Sequence, residues 1–461
     1  MGIQSTRIRP LKDAPERADG RYVLYWMQSA QRAGFNPALE LAIEAANQRD
    51  LPVVVGFGLT DGYPEANARH YAFMLQGLAD AAERLRARGV TFVLRRGEPD
   101  RVALDLSREA ALVVCDAGYL RLQRLWRRRL AEAIDVRLVR VEGDVVVPIL
   151  QASRKHEYAA RTIRPKIEKL WDDYLVPLRE RRVAQAGPAD LASELDLGDL
   201  DAALATLQVD RSVPPVRRFR GGEGEARRRL AAFVGGALAD YAEARGKPEA
   251  QAVSYLSPYL HFGQISPVEI ALAVREAKGG DSEAKAKYLE ELIVRRELAI
   301  NHAWFEESYD SYEGLPDWAR ATLAEHAGDR RPHLYSAAEL EAGRTHDAYW
   351  NAAQREMVET GYMHNRMRMY WGKKILQWSE RPEEAYELIL RLNNRYLLDG
   401  RDANSYTNVG WLFGLHDRPW PAQPVFGTVR SMGPNTFKSF DAEAYVKQVE
   451  RLCEREAQAA P

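Results

Sequence analysis

The sequence has few cysteines and no long apolar run, and both absences restrict its function. Only Cys115 and Cys453 occur among 461 residues, and they are too far apart for a metal-binding or redox motif. A four-cysteine iron–sulfur site is therefore excluded, and we expect no metal. No apolar run approaches the roughly 20 residues that a membrane span needs. The N-terminus also lacks the apolar segment of a secretory signal, so we expect a cytoplasmic protein that does not enter membranes.

The chain has almost no net charge. Its 65 lysines and arginines against 66 aspartates and glutamates give −1, so the whole molecule offers no electrostatic attraction for nucleic acid. Any contact with DNA must come from a local basic surface. With 46% apolar and 28% charged residues, the composition is typical of a globular protein. Its length favours two domains.

The hydrophobic pattern changes twice along the chain. Apolar, β-branched runs alternate with helical patterns over the first third, which predicts a Rossmann-like parallel α/β domain over residues 1–150. Charge runs and Pro214–Pro215 mark residues 151–221 as an interdomain linker. Residues 222–461 have helical periodicity throughout and predict an all-helical domain. The strands are expected at 21–27, 51–59, 90–97, 111–116 and 136–143.

The α/β domain lacks the common nucleotide-binding motifs. Neither GxGxxG after a first strand nor GxxxxGK[ST] occurs. A doubly wound sheet still has a crevice at the carboxyl ends of its strands, where ligands tend to bind. The sequence therefore leaves open whether this domain holds a ligand or is purely structural.

Two segments of the helical domain have both a structural and a functional interpretation. Ser254 and Ser257, with Pro258 following, suit a helix start whose free N–H groups bind an anion, although most such serines only cap a helix. Trp371 and Trp378 are two helical turns apart, about 10 Å along the axis, and Trp350 lies on the preceding helix. Three such indoles can pass an electron stepwise, but core packing explains them equally well.

A third segment favours function. Residues 391–427 are rich in Asn, Asp, Arg, Gly and Trp and poor in regular structure. Long polar loops in a compact domain are usually functional.

Several segments, in this order, resemble the photolyase–cryptochrome family, specifically the class II cyclobutane pyrimidine dimer photolyases. They are RIRPLKDAPERADGRYVLYWMQ (7–28), LSPYLHFGQIS (256–266), ELIVRREL (291–298), THDAYWNAAQREMV (345–358), MHNRMRMYWGKKILQW (363–378), LDGRDANSY (398–406) and PVFGTVRSM (424–432). Each motif alone is weak evidence. Their common order makes the resemblance specific over most of the chain.

The resemblance implies an FAD folded into the helical domain. Its phosphates would contact Ser254, Leu256 and Ser257, with Tyr241 nearby. An ion pair between Arg368 and Asp399 would lie beside the flavin ring. Either Asn393 or Asn404 would face flavin N5, and one sequence does not decide between them. A second, antenna chromophore, a deazaflavin or a folate, is also expected.

The resemblance also implies how light is used. Electrons would reach the flavin through Trp371 beside it, then Trp350, with Trp378 at the surface. Reduced, excited FAD would donate an electron to a pyrimidine dimer flipped out of UV-damaged DNA and so split it.

Further residues would meet the substrate. Glu297 would contact the dimer, while Met369 and Trp411 would line its pocket. Arg401 and Arg418 are assigned to DNA phosphates from residue type alone. We expect the protein to act as a monomer.

Three other functions compete with dimer repair. A cryptochrome-type photoreceptor would bind the same cofactor without repair, but Glu297, Met369 and Trp411 favour repair. A (6-4) photolyase would need a histidine acid where Met369 is expected. A helical DNA-binding or scaffold protein would use all its aromatic residues for packing.

Overall fold

The computed structural model describes residues 2–188 and 190–458 and begins with a six-stranded sheet. The strand order is β1-β6-β5-β2-β3-β4. Strands β2 to β6 are parallel, which confirms the predicted Rossmann-like sheet, whereas β1 pairs antiparallel with β6. The strands are β1 (Ile8–Lys12), β2 (Tyr22–Trp26), β3 (Val53–Leu59), β4 (Thr91–Arg96), β5 (Ala110–Asp116) and β6 (Leu138–Val141).

The edge strand β1 is absent from the sequence-based prediction. The strand has only five residues, IRPLK, which are partly charged and half-buried or exposed. It therefore lacks the alternation of apolar and polar residues by which a strand is recognised. Pro10 suits an edge position because it cannot donate a ladder hydrogen bond. By contrast, every residue of β3 and β5 is buried, as expected for strands covered on both faces.

Four helices cover the two faces of the sheet. Asn36 begins the first of them by accepting hydrogen bonds from the N–H groups of Ala38 and Leu39. The residues between the sheet and the helical part divide between the two cores: Ile163 and Ile167 pack with the helical part, and Ala203 packs with the sheet. The helices of these regions are α1 (Pro37–Asn47), α2 (Ala68–Ala87), α3 (Pro99–Ser107), α4 (Arg121–Ala133), α5 (Ile149–Ala152), α6 (Ala160–Glu168), α7 (Trp171–Tyr174) and α8 (Leu200–Ala205).

The rest of the described chain is helical, as predicted. Residues Glu290–Arg295 form a π-helical turn between two of the helices. No helix of the described residues is both long and apolar enough to cross a membrane. The helices are α9 (Glu223–Ala232), α10 (Tyr241–Ala244), α11 (Ser257–His261), α12 (Pro267–Glu276), α13 (Ser282–Leu289), α14 (Arg296–Phe305), α15 (Asp317–Glu325), α16 (Ala337–Glu341), α17 (Ala348–Thr360), α18 (Asn365–Trp378), α19 (Pro382–Tyr396), α20 (Ala403–Leu412) and α21 (Ala442–Gln458).

Two buried side chains hold the segment that leaves the sheet after β6. The guanidinium of Arg7 donates to the carbonyls of Glu142, Val145 and Val146 at 2.7 to 3.0 Å. From the other side, the Glu297 carboxylate on α14 accepts the N–H of Val146 at 2.5 Å and that of Val147 at 3.2 Å. Buried peptide groups cost free energy when unpaired, so these contacts fix α14 against the end of the sheet.

Burial also changes the acidity of this carboxyl group. It raises the pKa of Glu297 from 4.5 to about 8, although the two peptide N–H donors and the nearby Arg296 and Arg7 act in the opposite direction. The folded protein therefore binds a proton here that the unfolded chain releases above pH 4.5. This contribution to stability is complete below pH 4.5 and is lost as the pH rises to about 8.

Glu297→Gln should remove that pH dependence, because an amide of the same shape does not titrate. The free energy of unfolding of the native protein should fall by roughly 2–5 kcal/mol between pH 4.5 and pH 8, and the variant should lack this component of the fall. Denaturant titrations at several pH values measure both proteins. An unchanged slope in the variant would contradict the assignment to Glu297.

Candidate functional site

A cavity in the helical part of the molecule, called the main cavity below because most of the predicted site residues line it, has a volume of about 720 Å³, within the range of about 300–1,000 Å³ usual for ligand sites. Residues from α10, the loop before α11, the π-helical turn and the starts of α18 and α20 surround it. The residues predicted from sequence that line it are Tyr241, Ser254, Leu256, Ser257, Arg368, Met369, Asp399, Asn404 and Trp411.

An ion pair crosses one wall of this cavity. Arg368 is 8% exposed, and its guanidinium lies 3.2 Å from the carboxylate of Asp399, as the resemblance implies. The hydroxyl of Ser254 accepts a hydrogen bond from the hydroxyl of Tyr288 at 3.0 Å. Cation, carboxylate and hydroxyl thus face one enclosed space.

Several buried donors on this wall have no acceptor among the residues that the structure describes. They are Nε of Arg366, Nε of Arg368 and Nε2 of His364. His364 Nδ1 accepts the N–H of Arg366 at the start of α18, and burial lowers the pKa of His364 to about 4. The neutral ring therefore carries its proton on Nε2. These buried N–H groups belong to residues that line the cavity, and a flavin dinucleotide, which is rich in acceptors, suits such a wall.

The structure distinguishes the two asparagines left open by the sequence. Asn404 is in the first turn of α20 and lines the cavity, with its N–H bonded to the Asp402 side chain. Asn393 is 1% exposed, and its amide donates to the neighbouring Asn394 on α19. Only Asn404 reaches the cavity.

The structure does not bring Glu297 to the cavity, and this corrects its predicted contact with a substrate. Its carboxylate faces the domain junction, where it accepts the two peptide N–H groups described above. Glu291, in the π-helical turn, lines the cavity instead and pairs with Arg245 at 2.8 Å. Six residues are about one and two-thirds helical turns, so the two carboxylates point in different directions.

The three tryptophans predicted to transfer electrons do form a connected group. The indole N–H of Trp350 donates to the Trp371 carbonyl at 2.9 Å, and that of Trp371 donates to Gln354 at 2.7 Å. The rings of Trp350 and Trp378 are 5.5 Å apart. Trp371 lies one turn beyond Arg368 on α18, behind the cavity wall. The chain of indoles therefore begins near the cavity and leads away from it.

The far end of this group differs from expectation, because Trp378 is not at the surface. It is 1% exposed. The rings of Tyr335 and His346 cover it at centroid distances of 5.4 and 5.3 Å. A contact made across loops is not visible in helical spacing, which explains the error.

The cavity mouth combines arginines with tryptophans. Arg430 lies over the rings of Trp411 and Trp420 at 6.0 and 4.9 Å, and Arg418 lies over Trp420 at 5.2 Å. Arg418 and Arg430 are exposed. Neither has an ion-pair partner within 4.0 Å in the described part of the chain, so both charges remain available to an anionic partner.

Arg401 does not belong to this surface, which corrects its assignment to a DNA phosphate. It is 2% exposed, its guanidinium donates to the Asn394 carbonyl at 2.7 Å, and it lies against the buried His70 ring. Residue type alone did not reveal this, because an arginine in a polar loop is usually exposed.

A second cavity lies between the sheet and the helical part, at the carboxyl ends of β2 and β3. Asp116 shapes its floor by accepting the N–H groups of Gln28, Ser29 and Ala30, each at 2.9 Å. Sheets of this kind bind ligands at this edge. The lining includes Gln28, Ser29, Gln31, Gly58, Thr60, Tyr63, His70, Trp126, His261 and Arg401, and His261 also lines the main cavity.

Substituting the two arginines separates an interior role from a surface role. Arg401→Ala should lower the free energy of unfolding by roughly 2–4 kcal/mol, because the buried Asn394 carbonyl loses its donor and the packing of the long side chain is lost. Arg418→Ala, the matched surface variant, should stay within about 0.5 kcal/mol of the native protein and instead weaken binding to DNA. Thermal unfolding and DNA titration measure both. Equal stability of the two variants would contradict the placement of Arg401.

Comparison with known proteins adds independent information. The DNA photolyase family model matches residues 23–184. The chain is 43% identical to a deoxyribodipyrimidine photo-lyase of Methanothermobacter thermautotrophicus, over 98% of this chain and 99% of the relative. It is 37% identical to the protein of the same name in Arabidopsis thaliana, over 98% and 94% of the two chains. A Potorous tridactylus protein of that name is also 37% identical, over 92% and 81%.

Solved structures share the fold at lower identity. A class III photolyase from Agrobacterium tumefaciens superimposes with a TM-score of 0.73 at 21% identity, over 96% of this chain and 90% of the other. A Synechocystis cryptochrome superimposes with a TM-score of 0.69 at 17% identity, over 98% and 91%. Both the sheet domain and the helical domain thus have counterparts in known structures.

Proposed function

This chain belongs to the photolyase–cryptochrome family, and we propose that it is a deoxyribodipyrimidine photo-lyase, an enzyme that uses light to split cyclobutane pyrimidine dimers in DNA. The observation that carries the proposal is full-length similarity to proteins of that name, combined with a cavity that unites an ion pair, an amide and apolar side chains. Neither feature alone would distinguish repair from light sensing.

The main cavity is the proposed site of FAD. When bound, reduced and excited by light, FAD supplies the electron that splits the dimer. The hydroxyls of Ser254 and Ser257 would hold its phosphates. The ion pair of Arg368 with Asp399 would lie along the ring system, and the amide of Asn404 would bond to it. These groups are fixed by helices, so little reorganisation is required at the moment of reaction.

Three side chains of the same cavity suit a flipped pyrimidine dimer. Met369 and Trp411 offer an apolar surface to the two bases. Glu291, held by Arg245 at 2.8 Å, offers carboxyl oxygens to the N–H groups at the base edges. We therefore assign to Glu291 the substrate contact that the resemblance implied for Glu297.

The indoles provide a path for reducing equivalents. Trp371, Trp350 and Trp378 are connected by hydrogen bonds and ring contacts, and α18 carries both Trp371 and the cavity residues Arg368 and Met369. Each transfer therefore occurs over a short distance between rings held by core packing.

The mouth of the main cavity is the proposed DNA surface. Arg418 and Arg430 are exposed, close to Trp420 and free of carboxylate partners in the described residues. Cations of this kind bind phosphates and position the duplex without reading its sequence. Because the chain carries a net charge of only −1, such a local surface is required, and binding should weaken as salt increases.

The second cavity has a volume of about 90 Å³, too small to enclose a deazaflavin or a folate, so we propose that only part of such an antenna chromophore enters it. Its position between the sheet and the helical domain, with His261 shared by both cavities, would bring two chromophores close together. An absorption spectrum of the purified protein identifies which one is bound.

We further propose that the protein acts as a cytoplasmic monomer. Within the described ranges, Tyr158 and Leu334 are the only large apolar residues that are well exposed, and stable association usually needs a larger apolar patch.

Purified protein with reduced flavin should restore DNA containing a cyclobutane dimer under blue light and not in darkness. Chromatography of the digested DNA measures the loss of the dimer. A parallel sample containing a (6-4) lesion should remain unrepaired, because Met369 occupies the pocket where that reaction needs a histidine acid. Flavin binding without repair of either lesion would contradict the proposal and support a photoreceptor, and repair of the (6-4) lesion alone would also contradict it.

Trp371→Phe should block light-driven reduction of oxidised flavin, because the first indole of the path is lost. Repair by chemically reduced enzyme should persist. Trp318→Phe removes an indole that packs in the same core but lies off the path, and it should leave photoreduction intact. Absorbance of the flavin during illumination measures the effect. Normal photoreduction in the Trp371 variant would contradict the proposed path.

A further inference from the structure

Helix α18 carries a lysine into the interior, one turn beyond a residue of the proposed dimer pocket. Lys373 is 1% exposed. It follows Met369 by four positions, so the two side chains lie on the same face of the helix. A buried ammonium needs an acceptor, because a charge without a partner in the interior costs much free energy. The acceptor that Lys373 uses connects α18 to the other side of the pocket.

That acceptor is the end of α20. The ammonium of Lys373 donates a hydrogen bond to the carbonyl of Leu412, the last residue of α20. The last carbonyls of a helix have no partner within it. The carbonyl of Trp411 accepts the N–H of Gly414 at 3.2 Å, and Lys373 satisfies the carbonyl that follows. A side chain of α18 thus completes the last turn of α20.

The preceding residue of α18 contacts the same leucine. A Cβ atom at Gly372 would lie 2.2 Å from Cδ1 of Leu412, far closer than the 3.5–4.0 Å or so at which carbon atoms pack. Leu412 is 1% exposed. Its side chain therefore packs directly on the backbone of α18, while its carbonyl is bonded to Lys373. These two contacts fix one residue by both its side chain and its main chain.

Both contacts act on the neighbour of Leu412. Trp411 is half-buried and lines the main cavity, and the guanidinium of Arg430 lies 6.0 Å from its ring. Helix ends fray, so a ring on the last turn of α20 can move with that turn. Bonding the next residue to α18 limits this movement. Because α18 also carries Met369, one helix sets the positions of both apolar residues of the pocket.

The surroundings of Lys373 make the strength of this bond depend on pH. Burial lowers the pKa of Lys373 from 10.5 to about 7, Arg430 lowers it further, and Asp417 acts in the opposite direction. The ring of Phe426 lies 5.9 Å from the ammonium. A charged donor forms a stronger hydrogen bond than a neutral amine. The bond to Leu412 therefore weakens as the pH rises through 7.

We propose that Lys373 is a positioning residue for the dimer: by bonding to the end of α20, it holds Trp411 in a fixed position relative to Met369. This rests on the proposed function, in which those two side chains contact the bases of a flipped dimer. Lys373 does not line the cavity, so it reaches the substrate only through Trp411. Lys373 therefore determines affinity for the dimer and not affinity for the DNA backbone.

The test compares Lys373→Met with the native, flavin-loaded, full-length protein in darkness, by titration with duplexes that contain or lack one cyclobutane dimer. Methionine fills the same buried space but donates no hydrogen bond. Affinity for the dimer-containing duplex should fall about tenfold, and affinity for the undamaged duplex should not change. An equal loss for the two duplexes would overturn the proposal, because it would indicate general damage to the fold.

A double-mutant cycle distinguishes positioning from a merely structural role. Trp411→Ala removes the ring and should weaken dimer binding about 10- to 100-fold. If Lys373 acts through that ring, adding Lys373→Met should cause no further loss. Losses that multiply would contradict a positioning role.

Lys374→Met is the matched control. This neighbouring lysine of α18 lies over the rings of Tyr370 and Trp378, at 5.4 and 5.7 Å, and not at the end of α20. Its loss should leave the affinity for the dimer unchanged.

The native protein offers a second measurement that does not depend on the folding of any variant. The ratio of its affinities for the dimer-containing and undamaged duplexes should decrease as the pH rises through about 7, because the bond to Leu412 weakens. A ratio that stays constant between about pH 6 and pH 8 would overturn the proposal.

The variants also separate this inference from the function on which it rests. If Trp411→Ala leaves dimer affinity unchanged, the proposed dimer pocket is wrong, and the role of Lys373 is lost with it. If Trp411→Ala weakens dimer binding and Lys373→Met does not, only the role of Lys373 is overturned.

Discussion

The carboxylate of Glu297 fixes the geometry on which the main cavity depends. It accepts hydrogen bonds from two peptide N–H groups where the chain leaves the sheet. From the other side, Arg7 donates hydrogen bonds to the carbonyls of the same segment. Since Glu297 lies in the first turn of α14, these bonds hold that helix and the π-helical turn before it. Glu291 and Arg295 in that turn therefore line the cavity. A buried polar group outside the cavity thus determines where two of the cavity residues lie.

Helix α18 combines two functions along its length. Its first turns carry Arg368 and Met369 into the cavity, and its later turns carry Trp371 and Trp378 into the core beside Trp350. A rigid helix keeps the spacing between the cavity residues and the group of indoles constant.

Burial decides what each charged residue does. Arg401 and Arg418 come from the same polar segment, yet Arg401 donates to the Asn394 carbonyl in the interior, and Arg418 lies exposed over Trp420. The same distinction separates Glu291 from Glu297. In each pair the residue type is identical, and only its environment makes one a structural group and the other a candidate for binding.

The sequence by itself determined the parallel sheet followed by helices, because β-branched runs and helical periodicity are local properties. Ordered motifs also identified most of the cavity residues, including Ser254, Arg368 and Asp399. Only the tertiary contacts show that Asn404 rather than Asn393 and Glu291 rather than Glu297 line the main cavity, and that Arg401 is buried. The contact of Trp378 with the rings of Tyr335 and His346 likewise appears only in the tertiary structure. Each of these depends on contacts between segments distant in sequence, where burial and the direction of a side chain are set by packing that no local pattern records.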